Sequence, residues 1–198
     1  MDIGALAPFI VGLLAVTAAV LFISRDWRLS ISALGAQYVG VLLLIALSWP
    51  FELAVIKLVA GWIAAAILGM SLIEQHHAWG DELGHHFSGS LFRIFIAGLM
   101  GLAMLSLAPE ISQWAVHASS EQILGSLILT SFGLLHLGFT VQPDRIILGL
   151  LTVLSGFEII YATMETSLLV NAFLAVINLG IALVGAYLLI KPTAESGS

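Results

Sequence analysis

The chain contains no cysteine. That excludes a disulfide framework and any iron–sulfur cluster held by its own thiolates, and it says little about compartment. Charge is nearly as scarce. Only 9% of the 198 residues are Asp, Glu, Lys or Arg, where a soluble domain of this size carries about 25%. Lys and Arg together number six, and no cluster of them is able to track a phosphate backbone. The net charge of −6 therefore marks neither an acidic-substrate nor a nucleic-acid role. A nucleophile triad, a phosphate loop and a dinucleotide fingerprint are all missing. Paired intramembrane histidines for haem are missing too, because His136 is the only histidine well within a predicted span. No cofactor and no metal is expected.

What the chain does have is hydrocarbon. It is 60% hydrophobic, with a mean hydropathy of +1.10. A large soluble core does not account for this, because the apolar runs are too long and too many. The sequence predicts an all-α polytopic protein, integral to the membrane. Seven spans of about 20 residues are expected, at 4–23, 29–48, 51–72, 90–108, 121–140, 145–163 and 167–190. Short polar breaks divide them: "SRDWRLS", "SWPFE" with Pro50, and "TVQPDR", whose Pro143 and Asp144 suit helix initiation. The longest breaks are Glu74 to Gly89 and Pro109 to Ser120. The opening "MDIGALAPFIVGLL" lacks a basic n-region and a small-residue cleavage site, so it reads as a retained first helix.

Orientation follows from Lys and Arg in short loops. Arg25, Arg28, Arg93, Arg145 and Lys191 all fall on one side of a seven-span chain, and the opposite loops hold none. The N-terminus is expected outside and the C-terminus in the cytoplasm. A weak internal repeat relates spans 1–3 to spans 5–7, each with Asp and Arg before its middle helix ("RDWRL", "PDRII"). Chance recurrence of helix-boundary chemistry is the equal alternative.

Charges inside the spans stand out, since a carboxylate in hydrocarbon costs roughly 3 kcal/mol on insertion scales. Glu158 lies in the outer half of span 6, and Lys57 lies about 10 Å into span 3. The two fall at similar depth, where a pair would offset part of both desolvation costs. Such a pair reads as proton transfer, as a structural lock between two helices, or, for Lys57, as a side chain snorkelling to the outer interface. Asn171 and Asn178 on span 7 bind helices together or hold water for proton transfer. His136, near the cytoplasmic end of span 5, is a proton shuttle or a packing histidine, the latter being the commoner role. Glu52 and Glu165 are expected to be solvated. In "EQHHAWGDELGHHFSG", the residues His77, Asp81 and His85 have helical metal-ligand spacing, but Gly80 and Gly84 interrupt the helix. A solvated or partner-contacting loop is the better reading.

The stretch "HLGFTVQPDRIILGLLTVLSGFEIIYATM" resembles the first-helix end and second helix of the NuoK-type subunit of respiratory complex I. In that family a basic loop precedes a helix with Gly-hydrophobic-Glu, here Gly156-Phe157-Glu158. "LAVINLGIALVGAYLL" resembles the family's third helix, so the resemblance covers about the last 70 residues. The MrpC-type subunits of multisubunit cation/proton antiporters share the pattern. A NuoK-type subunit has three helices. The longer component E of the energy-converting hydrogenases (HyfE-like) fits the full length better, and "WRLSISALGAQYVGVLLLIAL" with "FELAVIKLVAGWIAAAILGM" is similar to its early helices. The latter stretch is also faintly similar to the NuoJ-type subunit.

The resemblance implies three parts. Residues 1–72 form a three-helix unit; residues 73–120 form a cytoplasmic loop, a spacer helix and an external loop; residues 121–198 form a NuoK-like unit. It also implies a subunit without catalysis of its own, set between an electron-transfer module and antiporter-like subunits of a proton-translocating oxidoreductase. Glu158 maps onto the family's first buried carboxylate and carries part of a proton path, with Lys57, Asn178 and His136 as the other candidate proton-transfer residues. The family's second carboxylate falls near Val176, where this chain has none; Asn178 is the closest polar group. An antiporter subunit and a purely structural assembly subunit are the alternatives. The resemblance implies other membrane subunits as partners and a bacterial or archaeal cytoplasmic membrane as the location.

Overall fold

A computed structural model describes residues 3–24, 26–79, 87–115, 117–165 and 167–190. Its regular elements are seven α-helices: α1 (Ile3–Ile23), α2 (Trp27–Ile45), α3 (Phe51–Trp79), α4 (Phe87–Ser112), α5 (Ser120–Gly138), α6 (Pro143–Met164) and α7 (Leu168–Ile190). Short connections make sequence neighbours antiparallel. Asp26 caps α2 by accepting from the Arg28 backbone N–H. Ser119 and Gln122 close a reciprocal capping box on α5, and Pro143 opens α6. The two Asp–Arg boundaries are therefore built differently: Asp26 caps with its side chain, whereas Gln142 at the start of α6 makes no such bond.

Six helices are long and apolar enough to cross a membrane, and α5 is not among them. The reason lies in the position of α5, which packs on α1, α4 and α6 and faces protein on most sides. It carries Gln122, Ser126, Ser131 and His136, which lipid would penalise and a helix bundle accepts. Two predicted breaks are also shorter than expected. α3 continues through "LIEQHHAW" to Trp79, and α4 runs through Pro109 to Ser112. Hydropathy falls in both places, yet the helix continues in each, in α4 even past Pro109. At 29 residues, α3 is about 43 Å long, so it outreaches a hydrocarbon core of about 30 Å.

Same-ranked helices of the two triplets pack together: α1 on α5, α2 on α6 and α3 on α7. The tightest pairing joins α5 to α6. A Cβ added at Gly133 would stand 2.7 Å from the Val153 backbone nitrogen, and one at Gly156 would stand 2.7 Å from that of Thr130. Only glycine permits so close an approach, the small-residue packing by which membrane helices associate. α4 leans on α5 and α1 at the rim.

One end of the bundle gathers Glu52, Glu110, Glu121 and Glu165, with no Lys or Arg among the described residues. The other end gathers Arg28, Arg93 and Arg145 beside Asp26, Glu74 and Asp144. These are called the acidic and basic ends below. Arg25 and Lys191 lie outside the described residues.

Candidate functional site

The α5–α6 seam fixes the rotation of α6. Gly149 and Gly156 turn toward α5, which leaves Glu158 buried on the side facing the other helices, 2% exposed. α3 starts from Pro50, whose carbonyl accepts from the Leu53 and Ala54 N–H groups. Lys57 thus sits in its second turn, also 2% exposed. Lys57 Nζ donates to Glu158 Oε1 at 2.7 Å. Lys57 therefore does not snorkel to the interface. Glu158 Oε2 is buried and has no partner among the described residues.

Beside this pair stands Tyr38 of α2. Its ring lies against Gly61, where a Cβ would meet Tyr38 Cδ1 at 2.3 Å. The missing side chain at position 61 lets the phenol lie flat between α2 and α3 and reach α7. There Tyr38 Oη donates to Asn178 Oδ1 at 2.9 Å. The Ser155 hydroxyl, one turn from Glu158 on α6, donates to the Leu151 carbonyl and also interacts with the Tyr38 hydroxyl. Glu158 itself acts electrostatically on Tyr38. Four helices thus converge on one buried polar group of Lys57, Glu158, Tyr38 and Asn178.

Further buried amides lie on α2 and α7. Asn178 Nδ2, both side-chain polar atoms of Asn171 and both of Gln37 lack partners among the described residues. A buried polar atom left unsatisfied costs roughly 1–3 kcal/mol, so this concentration is expensive unless something binds there. Val176, where the resemblance places a second carboxylate, faces outward at 65% exposed, while Asn178 is fully buried. The inward-facing position of α7 at this depth is therefore an amide.

His136 does not join the site. It lies near the basic end of α5, with its ring edge-on to Phe22, and Arg93 and Arg145 close enough to act on it electrostatically. Glu158 is about 20 Å further along α6 than Arg145. The two arginines, read from sequence as loop charges, are built into the bundle. Arg93 Nη1 donates to the Phe22 carbonyl at 3.2 Å and its guanidinium lies over the Phe22 ring. Arg145 Nη2 donates to the Ser24 carbonyl. Both satisfy carbonyls at the C-terminus of α1, where cations are favoured.

Among the described residues no group of His, Cys, Asp or Glu is arranged to hold a metal. Asp81 and His85 of the histidine-rich segment, and the side chain of His77, lie outside the described residues. Glu52 and Glu165 are exposed. Sequence reasoning missed Tyr38 and Gln37. Their signal was "GAQYVG" inside an apolar run, where an amide and a phenol carry the same cost that drew attention to the asparagines. No family model, curated protein or solved structure matches the chain.

Proposed function

We propose that this chain is a membrane-arm subunit of a complex-I-like or energy-converting-hydrogenase-like assembly, and that Glu158 forms part of its proton path. The observation that carries the reading is the buried Lys57–Glu158 pair with Oε2 left unpartnered. A carboxylate held this way has one oxygen committed to an ammonium and one able to receive a proton. Protonation at Oε2 removes the charge that Lys57 faces. The ammonium, left facing a neutral acid, releases its own proton to water or a hydroxyl leading away from the pair, so one arriving proton drives one departure. The Tyr38 and Ser155 hydroxyls can relay such a proton, and the Asn178 amide orients Tyr38 and can hold water beside it. The assembly lies in a bacterial or archaeal cytoplasmic membrane, with the basic end toward the cytoplasm and antiporter-like subunits as neighbours.

The test is proton pumping per turnover in vesicles holding the intact complex, measured beside complex yield. Glu158→Gln keeps shape and hydrogen bonding but cannot titrate. Expected is normal assembly with pumping reduced several-fold. Normal pumping rejects the role.

A second reading has its own observation. α3 and α6 share no extended contact, so the pair ties together two helices that packing leaves apart. On that reading the pair is a structural lock, and Glu158→Gln fails to assemble instead. A cation/proton antiporter subunit without redox chemistry uses the same site; co-purifying hydrogenase or quinone-module chains separate it from the redox assembly.

A further inference from the structure

Of the buried polar atoms without a partner among the described residues, all but His136 Nε2 lie in the acidic half of the bundle. Counting 1.5 Å per residue from the acidic end of each helix, Asn171 lies about 5 Å deep. Lys57 and Glu158 lie about 9 Å deep, Tyr38 about 10 Å, Gln37 about 12 Å and Asn178 about 15 Å. Asn171 and Asn178, two turns apart on one face of α7, carry unpartnered polar atoms from just beneath the acidic surface to mid-bundle. Beyond it the same helices change character. Leu68 of α3, Ile147 of α6 and Gly185 of α7 all lie about 25 Å from the acidic end, and they close on one another there. A Cβ at Gly185 would meet Ile147 Cγ1 at 2.8 Å and Leu68 Cδ2 at 3.0 Å. Leu34, Leu148 and Leu151 belong to the same apolar cluster. Its buried hydroxyls are spent within their own helices, Ser71 on the Ile67 carbonyl and Thr152 on that of Leu148.

We infer that Asn171 holds water joining Glu158 to the acidic end, that Gln37 and Asn178 hold water on the inner side of the pair, and that Leu68, Ile147 and Gly185 seal this water from the basic end. Water is the occupant whose chemistry fits, because each amide offers donors and acceptors together. A buried water typically makes about three hydrogen bonds. A fixed cation is a poorer fit, since Lys57 already places a positive charge on the carboxylate. The inference rests on the proton-exchanging role proposed for Glu158 and adds that the exchange is one-sided. The glutamates of the acidic end set a negative potential at its mouth, which raises the local concentration of protons.

The absence of cysteine makes the chain its own background for the test. Single variants Asn171→Cys and Ser155→Cys report the polar half, and Leu68→Cys and Ala182→Cys report the seal. Ser155→Cys and Ala182→Cys are the conservative members of each pair and serve if the larger changes do not fold. The full chain is reconstituted in vesicles, and a small cationic methanethiosulfonate is added to one side at a time. The reagent attacks thiolate, which forms readily only where water reaches. Expected is modification of the polar-half cysteines from the acidic side, at least tenfold faster than at the seal, with the seal protected from both sides. Equal protection of all four overturns the buried water. Modification of Leu68→Cys or Ala182→Cys from the basic side, as fast as that of Asn171→Cys, overturns the seal. The labelling pattern does not depend on Glu158 titrating. Reactive polar-half cysteines beside normal pumping in Glu158→Gln reject the proton-path role alone. Protected cysteines beside lost pumping reject the buried water alone.

Discussion

α4 and α6 are near twins in sequence terms: each offers a 22-residue apolar span, and the most apolar 18 residues of each have almost equal mean hydropathy. Yet 56% of those residues are buried in α6 and only 6% in α4. The difference lies in how small and polar residues are arranged. α6 places Gly149, Thr152, Ser155, Gly156 and Glu158 toward its neighbours, whereas Gly98 and Gly101 of α4 have nothing within 4 Å of an added Cβ. Apolarity puts a helix in the membrane. Close-approach residues decide whether it stands inside the bundle or at its rim, and only an enclosed helix can carry an ionised carboxylate away from its ends.

The largest expected effect breaks that comparison at its glycines. Gly156→Leu forces side-chain atoms into the α5 backbone and should abolish recovery of folded chain from detergent. Gly101→Leu should leave recovery unchanged. Equal recovery of the two would mean that the α5–α6 seam is not as close as described. Next comes the ion pair that Glu158 of α6 makes with Lys57. Lys57→Met strands a buried carboxylate, at an expected cost of about 3–5 kcal/mol in denaturant unfolding in micelles. Adding Glu158→Leu to the same chain should recover most of it. Failure of the double variant to recover would show that Lys57 contributes through packing rather than charge. Tyr38→Phe is smaller, about 1 kcal/mol by the same measurement, because it removes one hydrogen bond and leaves the ring on Gly61. A loss several times larger would place Tyr38 in a wider network. The smallest effect returns to α4: Leu102→Ala on its outward face should change stability by less than about 0.5 kcal/mol in the isolated chain. A core-sized loss there would contradict the rim position of α4.

The sequence made the helical class legible, because runs of about 20 apolar residues admit few other readings. Lys57, Glu158 and the two asparagines were legible for a related reason: polar groups are costly in hydrocarbon and few in number. What remained hidden depends on rotation about helix axes. Nothing in "LAVINLG" says that Val176 faces out while Asn178 faces in; that follows from how α7 packs on α3. Tyr38 was overlooked because a tyrosine in an apolar run reads as an interfacial aromatic, and its role needs the gap at Gly61, 23 residues later. Arg93 and Arg145 obeyed the loop-charge pattern while doing something the pattern does not describe.

That last feature bears on how the chain is made. The C-terminal carbonyls of α1 are completed by Arg93 and Arg145, and Arg145 leaves the ribosome only about 120 residues after α1 ends. At about 5–20 residues per second, the first helix waits on the order of ten seconds with bare acceptors at its end. An insertion factor or a protease that recognises unfinished helix ends has that interval in which to act. Maturation of the first helix is thereby timed by the sixth.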